Sequence, residues 1–133
     1  MSTAENKELV RRYFDERWNH YNLDICDELL APNADIEGAK EFVRAEHAIF
    51  GKMHFTLLDL IAEDDQVAVH WRVDATHQGD FFGVAATGKP VTYQGIALLR
   101  IADGKIMDDV AYWDNQSILE QLGSVPPAGQ AAN

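Results

Sequence analysis

The hydrophobic period of the chain changes once, at Gly51, and that change restricts the fold to helices first and sheet afterwards. Before it, Leu9, Val10, Tyr13, Phe14 and Trp18 recur at helical spacing behind Ser2-Thr3-Ala4-Glu5, where a hydroxyl cap precedes a carboxylate by three residues. The pattern predicts a helix over residues 2–19. A second fits 22–30, with Leu23, Cys26, Leu29 and Leu30 inward and Pro32 stopping it. A third fits 39–50, with Phe42, Ala45, Ile49 and Phe50 inward and Gly51 closing it. Residues 35–38 read as a brief connection with room for a short strand.

Beyond Gly51 the period is two. Residues 53–63 alternate loosely and end in the polar turn Glu63-Asp64-Asp65. Val67, Val69, Trp71, Val73, Ala75 and His77 then alternate with Ala68, His70, Arg72, Asp74 and Thr76, a strand with two distinct faces. Residues 78–90 carry Gly79, Gly83, Gly88 and Pro90 and read as a loop. Residues 91–101 and 106–113 are strand-like and flank Asp103-Gly104, a strong hairpin signal. Ile118, Leu119 and Leu122 predict a short last helix. Three helices followed by an antiparallel meander give an α+β domain, and the helices can bury their stripes only across one face of a curved sheet. The expected result is a cone with a cavity at its wide end. One domain over residues 1–123 is predicted, with residues 124–133, rich in Pro, Ala and Gly, as a flexible tail.

Composition narrows the function classes. The formal net charge of −11 excludes a nucleic-acid backbone or an anionic membrane surface as partner, since both would repel the chain. A single cysteine, Cys26, provides neither an intrachain disulfide nor a cysteine-based zinc site, and no two histidines have the helical spacing of a zinc pair. No apolar run approaches the ~20 residues of a spanning helix. The expectation is a soluble cytoplasmic protein without a metal.

Several segments resemble the SnoaL-like polyketide cyclases of the nuclear-transport-factor-2-like superfamily. They are residues 59–69, Thr76-His77-Gln78-Gly79 with Phe82-Gly83, Thr87-Gly88-Lys89, Gly95-Ile96 leading into residues 100–106, and Trp113-Asp114 with Gln121-Leu122-Gly123. The resemblance implies a cone-shaped α+β barrel with an apolar pocket, no metal, no organic cofactor, and a homodimer through the outer sheet face. It also implies an Asp acid/base in the last long strand and an assisting His in the strand before it. By position these fall at residues 111 and 97, where this chain has Ala111 and Ala97. The segment 33–38 is also shorter than its counterpart in the family.

If residues 97 and 111 face the cavity, alternation places Tyr93 beside Ala97, and Asp109 and Trp113 beside Ala111. Asp109 is then the candidate acid/base, because an apolar surround disfavours the charged carboxylate and raises its pKa. His77, in phase with Trp71, is the candidate polar orienter, against the alternative of a histidine anchoring the glycine-rich loop. Trp71, Tyr93 and Trp113 are candidate walls. Tyr13 and Trp18 are candidate ligand contacts at the open end, and Phe82, with Phe81 and Val84, a candidate gate. Asp114 is read as the cap of the last helix. The function expected is cofactor-free cyclisation, isomerisation or hydration of a small apolar, polyketide-like carbonyl compound. The alternative is a small-ligand binder that has lost the cyclase residues.

Overall fold

The computed structural model describes residues 2–124, so the expectation for the tail lies outside the described residues from 125 onward. Helix α1 (Thr3–Phe14) starts on the capping box read from the sequence: Ser2 Oγ accepts from the Glu5 N–H at 3.1 Å, and Glu5 Oε1 accepts from the Ser2 N–H at 3.1 Å. The helix then widens into a π-turn, Asp15–Asn19, closed by the His20 N–H on the Asp15 carbonyl. Asn19 ends this segment by pairing its amide with the backbone of Phe55, at 2.7 and 3.1 Å. Helix α2 (Asp24–Leu29) follows, and Ala31 donates to the Ile106 carbonyl at 2.9 Å.

Helix α3 runs from Ile36 to Phe50, three residues earlier than predicted, because Asp35 caps it by accepting from the Gly38 N–H at 2.9 Å. Its buried residues are Val43 and Phe50, whereas Ala45 faces solvent, so the inward face is rotated from the predicted one.

The sheet is a curved antiparallel meander of β1 (His54–Glu63), β2 (Gln66–Thr76), β3 (Pro90–Ala102) and β4 (Lys105–Trp113), in the order β1-β2-β3-β4. Helices on one face and this sheet make the α+β cone. β2 and β3 bury Val67, Val69, Trp71, Val73, Val91, Tyr93, Ala97, Leu99 and Ile101 on the inner face. β1 and β4 each carry one extra residue against a neighbour. Leu58 is inserted opposite the Trp71–His70 step, and Met107 opposite the Arg100–Ile101 step. The second bulge sets which carboxylate of β4 faces inward. Ile106 faces inward opposite Ile101, and strict alternation from it would point Asp108 inward; the extra residue shifts the phase, so that Asp109, opposite the buried Leu99, does so instead. The β3–β4 hairpin turns on Asp103 and Gly104, at φ 51° and 70°, as a two-residue turn of that type requires.

Helix α4 (Asn115–Gln121) is capped by Asp114, which accepts from the Ser117 N–H at 2.9 Å. It ends with Gly123 at φ 78° and Ser124 donating to the Leu119 carbonyl at 3.0 Å. Among the described residues no helix is long and apolar enough to cross a membrane.

Candidate active site

Strand register lines up three neighbouring rows on the inner face: Leu57–Trp71–Gly95–Trp113, Val69–Ala97–Ala111, and Val67–Leu99–Asp109. The middle row is small, and Ala97 and Ala111 face each other directly. In the first row Gly95 has no side chain, and the Trp71 indole lies over its backbone. Three small residues in adjacent rows leave a hollow that larger inward residues fill elsewhere on the sheet.

That hollow is a cavity of about 50 Å³ whose floor includes Ala97 and Ala111. Trp18, Phe55, Trp71, Tyr93 and Trp113 wall it, with Trp18 stacked on Phe55 at 4.7 Å and Phe55 tilted on Trp71 at 5.2 Å. It adjoins a groove of about 630 Å³ between residues 30–39 and β4, and the two share Arg17, Phe42, Asp109, Ala111 and Trp113. A second groove of about 590 Å³ follows α1 past Glu8, Arg11 and Arg12; it shares only Phe14 and Phe55 with the cavity, and its charged groups are solvated.

Three charged side chains line the cavity. Asp109, from β4, keeps 25% of its side-chain surface and faces the boundary between cavity and groove. Burial pushes its carboxyl above the usual aspartate range, and the Arg17 guanidinium pulls the other way. Glu46, from α3, is half-buried, and burial raises its pKa too. Arg17, from the π-turn, is 6% exposed. Its Nη2 donates to the Ala39 carbonyl at 2.8 Å, its Nη1 lies 4.0 Å from Asp109 Oδ2, and its Nε is buried without a partner. The guanidinium carbon sits 5.2 Å and 5.0 Å from the ring centres of Tyr13 and Trp18, within cation–π range. Burial pushes the phenols of Tyr13 and Tyr93 up, so both stay protonated donors.

The expected site residues separate into two groups. Asp109, Trp18, Trp71, Tyr93 and Trp113 meet at the cavity, whereas Tyr13 lines the adjoining groove beneath Arg17. His77 is not among the cavity's lining residues, so its assignment as an orienter is corrected. It is fully buried just past the end of β2 and ties down the glycine-rich loop: Nδ1 accepts from the Thr87 N–H at 3.2 Å, and the His77 N–H donates to the Lys89 carbonyl at 2.9 Å. The gate is corrected as well. Phe81 is buried against Phe50 at 5.5 Å, while Phe82 is 72% exposed over a separate hollow of about 260 Å³ that meets the cavity only at Glu46 and Trp113.

Sequence reading missed Arg17 and Glu46, although both carry a signal. Arg17 continues the spacing Val10, Tyr13, Phe14 into Trp18, and Glu46 lies three residues after Val43 and four before Phe50, so each is a charge on an apolar stripe. Among the described residues no group of three or more His, Cys, Asp or Glu is placed to hold a metal ion.

The fold agrees with comparisons to known proteins. The chain superposes on AclR from Streptomyces galilaeus, for which a hydroxylase role is suggested, with a TM-score of 0.85 and 27% identity over 95% of this chain and 89% of that one. A protein from Jannaschia sp. CCS1, assigned as a SnoaL-like polyketide cyclase, aligns with a TM-score of 0.81 and 25% identity over 94% and 95% of the two chains. IdmH from Streptomyces antibioticus, to which a polyketide cyclase role is assigned, aligns with a TM-score of 0.79 and 27% identity over 89% and 98%. None of the curated proteins matches the chain. The profile of the SnoaL-like polyketide cyclases matches residues 8–122, and the chain belongs to that family.

Proposed function

We propose that the protein catalyses a cofactor-free proton transfer on a small, largely apolar carbonyl compound, leading to cyclisation, isomerisation or hydration, with Asp109 as acid/base. The observation that carries this reading is a single one: a carboxylate with a raised pKa at the mouth of an aromatic cavity. A carboxylate less comfortable as an anion is a stronger base, and its pKa moves toward that of the proton it must exchange. Asp109 takes a proton from the carbon next to the carbonyl, the C–H electron pair becomes the new double bond, and the carbonyl π pair moves to oxygen. The enolate then closes on an electrophile or is reprotonated at another carbon, and Asp109 returns the proton.

The Ala97–Ala111 pair favours a second reading, a binding protein that keeps the pocket without the chemistry. One experiment separates the two. The enzyme reading expects the protein to accelerate exchange of the α-protons of butanone for deuterium, followed by NMR, and expects Asp109→Asn to abolish the acceleration. Binding of butanone with no acceleration overturns it. A homodimer through the outer sheet face belongs to the same proposal. Ile96 and Leu98 lie opposite Tyr112 and Val110 there, and Tyr112 is 76% exposed, an apolar patch of the kind that marks an interface.

A further inference from the structure

We infer that Arg17 holds the substrate's oxygen, and that the cavity therefore takes a neutral, enolisable ketone rather than a carboxylate or a phosphate. The inference rests on the proposed role of Asp109 and adds the substrate class to it. A guanidinium offers five N–H donors in a fixed fork and does not lose its charge. In this chain it is 6% exposed, gives one hydrogen bond to Ala39, stands 4.0 Å from Asp109 and leaves Nε buried and unpartnered. Of the buried polar side chains among the described residues, Asn6, Arg17 and His77, only Arg17 lines the cavity. A buried donor left unsatisfied costs about 1–3 kcal/mol, more when charged, and the guanidinium that carries this one lines both the cavity and the groove, where a ligand acceptor can meet its fork.

Charge selects the ligand. Arg17 and Asp109 together are neutral, so a neutral ketone enters without adding charge. When the proton moves to Asp109, the negative charge moves to the enolate oxygen and stays opposite Arg17, and the sum is unchanged. A carboxylate or phosphate would bring a second anion against Asp109 in a chain whose net charge is already −11. Size selects the reacting end. At about 12 Å³ per water-sized atom, 50 Å³ admits roughly four atoms, enough for the carbonyl carbon, its oxygen and the α-carbon; the rest of the molecule lies in the 630 Å³ groove.

Acetylacetone, whose enolate absorbs differently in the ultraviolet from its neutral forms, is the probe. The wild-type protein should generate the enolate band at a pH where free acetylacetone shows little. Arg17→Met should abolish the band, and Asp109→Asn should keep it. Butanone exchange should fall about 10²–10³-fold in Arg17→Met, and the acid limb of its pH profile should move upward as the cation opposing Asp109 is lost. Arg17→Lys, which keeps charge but not the fork, should fall between the two, and it decides the matter should Arg17→Met not fold. Propionate should compete weakly. No enolate band in the wild type, a band that survives in folded Arg17→Met, or propionate competing as strongly as acetylacetone itself would each overturn the inference. If Asp109→Asn leaves butanone exchange intact while the band still depends on Arg17, the proposed base fails and the oxygen site stands.

Discussion

Replacing Gly95 by alanine asks whether one wall of the cavity is set by a missing side chain. The new Cβ would lie 2.3 and 2.4 Å from Trp71 Cζ2 and Cη2, and 2.6 Å from the Tyr112 carbonyl oxygen. Comfortable carbon contacts are about 3.5–4.0 Å, so the indole must retreat by about 1 Å or β4 must move. Trp71 is 4% exposed and packs on Phe55 at 5.2 Å and Tyr93 at 6.1 Å, so its retreat must displace packed rings or enter the cavity that it lines. Overpacking of this kind costs about 1–3 kcal/mol, and the backbone contact, which cannot rotate away, places Gly95→Ala in the upper half of that range. For a chain of this length each kcal/mol moves Tm by about 3–5 °C, giving a fall of about 6–15 °C.

The measurement is a circular-dichroism melt, with the near-ultraviolet band reporting the displaced indole. Trp71→Phe removes the two crowding carbons, so Gly95→Ala should cost less in that background, with a coupling of about 1 kcal/mol or more. The Tyr112 oxygen keeps the rescue incomplete. Equal Tm values for Gly95→Ala and the parent, or costs that simply add, would refute the reasoning.

Glu46→Gln should raise Tm at about pH 7 and leave it unchanged near pH 3, as scanned by melts across that interval. Burial raises the Glu46 pKa, so the stability due to its neutral form is full below the unfolded pKa and is lost as pH rises through the folded one. His77→Ala should cost about 1–3 kcal/mol in urea unfolding, because the Thr87 N–H loses its acceptor, while the folded fraction keeps its rate of butanone exchange. Tyr112→Glu should convert a dimer to a monomer in size-exclusion chromatography with light scattering, at unchanged Tm in the monomer range, since the side chain is 76% exposed on the outer face.

The order of elements was legible because each stretch agrees with its neighbours. Ser2 and Glu5 announce α1, β3 alternates without a break from Val91 to Ile101, and Asp103-Gly104 fixes the hairpin. What stayed hidden has local causes. The start of α3 depends on the Asp35 side chain closing on Gly38, a contact that replaces the connection the glycine suggested. His77 has the right phase for the interior, yet β2 ends at Thr76 and the ring follows the loop instead. Arg17 and Glu46 were passed over because a charge at a stripe position is read as solvated unless something opposite it, in a distant segment, gives it a reason to be buried.

Asp109 and Arg17 each reach the cavity beside a one-residue irregularity in a regular element. The extra Met107 reverses the phase of β4 and turns Asp109 in, and the π-turn at Asp15–Asn19 lets α1 present both Arg17 and Trp18 to the interior. Alternation counted back from Ala111 finds Asp109, whereas alternation counted forward from Ile106 does not, and such insertions recur where structure is adapted to function. They also explain how this chain carries alanine at both positions 97 and 111 and still presents charged groups in its cavity. The two alanines leave the room, the bulge turns in a carboxylate one pleat away on the same face of β4, and the widened helix supplies a cation from the opposite wall. The proposed acid/base chemistry needs a displaced pKa, a counter-charge and a space; β4 supplies the first, the π-turn the second, and the facing alanines of β3 and β4 the third.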